Sequence, residues 1–160
     1  MQQWPNYFSV TAGCAATLTG LIFVSVSLNL QRILANKHLP ERALEALILL
    51  ANILIVSSLL LIPGQSPFGL GSEIIILDVL LWITVTKLDF KMYRSAEKRF
   101  KRNYRQNIVF SQIALFPFLA AGILLILNPN IGIYMFIPGI TFSFIKSLVD
   151  SWVLLVEINR

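Results

Sequence analysis

The chain has 160 residues, 56% of them hydrophobic and only 13% charged, with a mean hydropathy of +0.74; soluble domains hold about 45 to 50% apolar and about 25% charged residues, so water is excluded as the main solvent. The net charge of +5 raises nucleic acid as a partner, yet seven of the thirteen basic residues fall between Lys91 and Arg105, beside an apolar stretch, which points to anionic lipid and away from nucleic acid. A single cysteine, Cys14, and a single histidine, His38, exclude an intramolecular disulfide and a Cys or His metal cluster, and no metal or cofactor is expected.

Residues 1–31 carry no Lys or Arg, so the first apolar run lacks the positive start of a signal peptide and is expected to stay as a helix over 8–34. Within it Ser9, Gly13 and Thr17, and Ala12, Ala16 and Gly20, recur every four residues. Small side chains at that spacing let another helix approach closely, which predicts burial of this helix in a bundle. Ser25, Asn29 and Arg32 share its inner end. After the polar segment ANKHLPER, with Lys37 and Arg42, Pro40 suits the first turn of a second helix over 41–62, because its missing amide hydrogen is unneeded there. Glu41, Glu45 and Asn52 fall on one face of that helix, which should not meet lipid.

Residues 63–72, PGQSPFGLGS, hold two prolines and three glycines and predict an outer loop. A third helix over 73–92 passes Asp78 and Trp82. Asp78 lies about 7 to 8 Å along it from Glu73, where a shallow, water-exposed carboxylate is expected. Phe90, Tyr93, Phe100 and Tyr104 then recur at helical intervals against Lys91, Arg94, Lys98, Arg99, Lys101, Arg102 and Arg105. That pattern predicts a basic amphipathic cytoplasmic extension of the third helix, lying on anionic lipid. The fourth helix, 108–127, carries Gln112 and also Pro117, which should free the carbonyl of Ile113 and bend the helix. The fifth, 131–157, contains Pro138 and Gly139, and it places Ser143, Lys146, Asp150 and Glu157 three, four and seven residues apart, along one stripe.

Twelve of the thirteen basic residues, ending with Arg160, fall in the first loop, the third loop and its flanks, or the C-terminus; Lys146 is the exception. This asymmetry predicts an outside N-terminus, a cytoplasmic C-terminus and an odd number of spans. Continuous apolar runs without period-two alternation argue against a strand barrel. The expected fold is all-α: a polytopic transmembrane bundle of five spanning helices, forming one domain over 1–160.

Charge inside a spanning helix costs roughly 2.5 to 3.5 kcal/mol per group on insertion scales. Lys146 and Asp150 are therefore expected to face each other and the bundle interior, either as a proton or ion relay or as a packed ion pair with Asn52 or Gln112 nearby. Five helices make a thin bundle, so shielding Lys146, Asp150, Asp78 and Asn52 predicts a homo-oligomer. No Cys–His pair, nucleophile elbow or glycine-rich phosphate cradle occurs in the sequence, and no enzyme is expected. The leading expectation is a homo-oligomeric channel or transport-like protein with a polar path near Lys146, Asp150 and Asp78. The alternatives are a non-conducting accessory or scaffold protein, acting through the first helix's small-residue face and the basic segment, and a lipid-acting membrane enzyme.

The stretches TAGCAATLTGLIFVSVSLNLQRIL, LPERALEALILL, LIPGQS with LGSE, and SWVLLVEINR resemble a family of small bacterial multi-pass inner-membrane proteins. The resemblance implies a bacterial cytoplasmic membrane and transfers no functional positions.

Overall fold

The computed structural model describes residues 4–36, 38–96, 98–99 and 101–158. Phe100 of the amphipathic pattern, and Lys37 and Arg160 of the charge count, lie outside the described residues. Six helices run in order: α1 Trp4–Leu28, α2 Leu30–Ala35, α3 Leu39–Leu61, α4 Pro67–Ser95, α5 Lys101–Leu127 and α6 Pro129–Ile158. No strand occurs among the described residues. All but α2 are long and apolar enough to cross a membrane, five in all, so the chain is a helical multi-pass membrane protein.

Sequence chemistry accounts for the helix starts. Pro40 sits in the first turn of α3 as expected. Ser66 precedes α4 in extended conformation and its hydroxyl accepts from the Gly69 amide at 3.0 Å, while Pro67 occupies the first turn. The expected loop over 63–72 is therefore corrected: its second half is already helix, and only residues 62–66 turn, with Gly64 at φ +78° in the left-handed region open to glycine.

The short connections make α3, α4, α5 and α6 antiparallel neighbours. α3 packs against α4 and α6, and α5 packs against the same two, which closes a four-helix ring; α1 lies outside it, mainly against α3. One core cluster inside the bundle gathers Ile53, Val56, Ile74, Phe118, Ala121, Phe136 and Ile140, joined by Phe8 and Ala15 of α1. The α4–α5 seam depends on two glycines: a Cβ on Gly71 would stand 2.6 Å from Ile126 Cγ1 and 2.8 Å from the Gly122 carbonyl, and one on Gly122 would stand 2.8 Å from Ile75 Cγ1.

Three further expectations are corrected. The small-residue stripes of the first helix are not buried: Ser9, Gly13, Ala16, Thr17 and Gly20 are exposed, and a Cβ on Gly13 or Gly20 would meet nothing within 4 Å. It is Phe8, Thr11, Ala15 and Ile22, on another face, that meet the bundle, because there Phe8 packs edge-on against Phe136 and the Thr11 hydroxyl meets that of Ser57 on α3 at 3.1 Å. Asn29 also interrupts that helix, since its Nδ2 donates to the Ser25 carbonyl at 3.0 Å while its backbone sits at φ −112°, ψ 18° between α1 and α2. Finally, the basic segment is not one extension of the third span. Helix α4 stops at Ser95, Ala96 is extended, and Lys101, Arg102 and Arg105 belong to the first turns of α5.

Candidate functional site

One end of the ring carries most of the cations, and inside it four helices contribute polar groups at matching depth. Glu45 lies six residues into α3, Asp89 six residues before the end of α4, Asn107 six residues into α5 and Asp150 eight residues before the end of α6, all about 9 to 12 Å from that end at 1.5 Å per residue. Lys146 lies one turn deeper on α6. All five are buried: Glu45 and Asp150 are 0% exposed, Asp89 is 1% and Lys146 is 4%.

Lys146 joins them. Its Nζ donates to Glu45 Oε1 at 2.8 Å and also to Asp150 Oδ2. The i,i+4 spacing of Lys146 and Asp150 puts them on one face of α6, so this pair forms as the sequence predicted. Arg42, one turn before Glu45 on α3, brings its Nη1 to 3.5 Å from Asp150 Oδ1. Asn107 donates through Nδ2 to Asp89 Oδ1 at 2.7 Å and to Glu45 Oε2 at 3.2 Å, while the Ser111 hydroxyl donates to Glu45 Oε1. Asp89 Oδ2 has no hydrogen-bond partner. Glu45, on α3, is thus held by groups from two other helices, α5 and α6, which supply the partners that a buried polar group needs away from water.

The other predicted residues lie elsewhere. Asn52 and Gln112 do not join the Lys146 pair. Asn52 donates through Nδ2 to Asp78 Oδ1 at 3.2 Å, deeper in the ring. Gln112 accepts from the Trp82 indole N–H and donates to Thr86 Oγ1 at 3.3 Å, on the α4 side. The expectation of a shallow, water-exposed Asp78 is corrected: it is 1% exposed, because α4 begins at Pro67 rather than Glu73 and so sets Asp78 three turns inside its helix. Ser143 donates to the Ala114 carbonyl at 3.3 Å. Between the Glu45 level and the Asn52–Asp78 pair, Leu49, Val85, Ala114 and Leu115 form a separate buried apolar cluster.

These placements also correct the reason for expecting an oligomer. Lys146, Asp150, Asp78 and Asn52 are all buried within one chain, so no second copy is needed to shield them. Sequence reasoning did not single out Asp89, Asn107 or Ser111. Asp89 falls near the end of the expected third helix, and its signal is a second carboxylate eleven residues, about three turns, after Asp78 on one helix face.

The basic residues expected to touch anionic lipid, Lys91, Arg94, Lys98, Arg99, Lys101, Arg102 and Arg105, are all exposed at the same end. Lys91 reaches Glu41 at 2.7 Å, and Lys101 lies over the Tyr93 ring at 5.5 Å. Among the described residues no group of three or more His, Cys, Asp or Glu is arranged to hold a metal ion. Compared with known proteins, the chain matches no family model, no curated protein and no solved structure.

Proposed function

We propose that this chain is a transport-like protein of a bacterial cytoplasmic membrane, with its N-terminus outside and its basic end and C-terminus in the cytoplasm. The observation that carries the reading is the enclosure of Glu45, Asp89, Lys146 and Asp150 between α3, α4, α5 and α6, with the half-buried Arg42 set against Asp150. Ionisable groups inside a spanning bundle are costly, and where they are kept they commonly mark a path for ions or protons. Here the path belongs to the single protomer, with the charge network as its inner station and the Asn52–Asp78 pair as its next polar step.

Reconstitution into liposomes tests this. Wild-type protein should pass protons or monovalent cations, and Lys146→Ala and Glu45→Gln should abolish the flux. Silent vesicles of folded wild-type protein would overturn it.

A second reading, a non-conducting accessory or scaffold protein, is favoured by the exposed small-residue face of α1, which leaves room for a foreign helix. Co-purification of a stable membrane partner that is lost in Gly13→Leu and Gly20→Leu, together with silent vesicles, would select it.

A further inference from the structure

We propose that Asp89 and Asp78 are two proton-binding carboxyls on α4, each buried and each accepting a hydrogen bond from an amide side chain, with an apolar layer between them. That protons are moved through these sites, and not only held there, rests on the transport-like reading.

The inner site follows from a count of charges. The enclosed network contains two cations, Arg42 and Lys146, against three carboxyls, Glu45, Asp89 and Asp150. Both cations are committed, Lys146 to Glu45 and Asp150, and Arg42 to Asp150. Asp89 makes no ion pair among the described residues, although Glu45 on α3, Lys146 on α6 and Asn107 and Ser111 on α5 all face it. An ionised carboxyl so enclosed, without a cation in contact and with a carboxylate neighbour, is much less stable than the acid. One proton on Asp89 leaves two positive and two negative charges. Its Oδ2, which has no partner, is where that proton sits while Oδ1 accepts from Asn107.

The outer site has its own signature. Asp78 faces Asn52 on α3 and the Leu119 backbone on α5, neither charged. Asn52 gives its N–H to Asp78 Oδ1, while its own Oδ1 is buried with no hydrogen-bond partner. A carboxylate has no hydrogen to offer that oxygen; a carboxylic acid has one. Protonated Asp78, which already accepts from Asn52, carries the hydrogen that the orphaned acceptor lacks. The two sites are eleven residues apart on α4, about 17 Å along its axis. Leu49, Val85, Ala114 and Leu115 fill the level between them, so a proton passes from one to the other only when water or a side-chain movement bridges that layer.

The test is infrared difference spectroscopy of the purified full-length protein in detergent, with the pH stepped upward from neutral, reading the C=O stretch of protonated carboxyl groups. Two such signals are expected in the wild type at neutral pH. Asp89→Asn should remove one and Asp78→Asn the other, while Glu157→Gln at the exposed end of α6 should keep both. A wild-type spectrum without protonated-carboxyl signal at neutral pH overturns the proposal, and that result does not depend on whether any variant folds. Signals that survive both substitutions overturn it as well. Proteoliposomes keep the two readings apart: both signals with silent vesicles retain the proton sites and remove transport, whereas flux without the signals retains transport and removes the proton sites.

Discussion

Lys146 is the residue on which the buried network turns, because it donates to Glu45 and Asp150 at once from a position that is 4% exposed. Replacing it with Met keeps much of the volume but leaves two carboxylates facing each other with Arg42, at 3.5 Å from Asp150, as the remaining cation. Breaking a buried pair from one side costs about 3 to 5 kcal/mol. Lys146→Met should lose stability of that order in detergent unfolding, and adding Glu45→Gln should recover part of it. Equal stability of Lys146→Met and wild type would show that the pair is solvated. At this scale the sequence was legible where partners lie on one helix: the four-residue spacing of Lys146 and Asp150 fixes their shared face. It was not legible for Glu45 with Asn107 and Ser111, which are 62 and 66 residues apart, since helix rotation in the ring decides which faces meet. The same cause misassigned Asn52 and Gln112, both correctly read as polar groups within spans but paired with Asp78 and Trp82 instead.

At the scale of elements, apolar length dominates, and the five spans were readable because each holds a long, predominantly apolar stretch. Their ends were less readable, since Ser66 and Pro67 are a helix start hidden in what composition marks as a loop. Small residues proved ambiguous for a physical reason: four-residue spacing shows that a helix can be approached closely, and does not say by what. Gly71 and Gly122 are packed to the limit, whereas Gly13 and Gly20 face open space. Gly71→Leu should therefore destabilise the α4–α5 seam by about 1 to 3 kcal/mol, as overpacking does. Gly13→Leu should leave the unfolding temperature of the isolated protein unchanged. The reverse ranking in thermal unfolding would mean that α1, and not the α4–α5 seam, is the tightly packed contact.

For the whole molecule, the distribution of charge sets its relation to the bilayer. The cations from Lys91 to Arg105 are exposed together at one end of the bundle, and each Lys or Arg near an anionic surface contributes about 1 kcal/mol. In flotation assays at low salt, protein reconstituted with its basic end outward should capture vesicles of anionic lipid but not of neutral lipid, and rising salt should weaken the capture. Capture that ignores salt would rule out the electrostatic contact. The enclosed charges matter only if α3 to α6 are surrounded by lipid, with the 62–66 turn and the Lys98–Arg99 turn on opposite sides. In a Cys14→Ser background, Gln65→Cys and Arg99→Cys should be labelled in intact cells by an impermeant thiol reagent. Position 65 is predicted to react from outside and position 99 only after permeabilisation, and reaction of both positions from the same side would contradict the account.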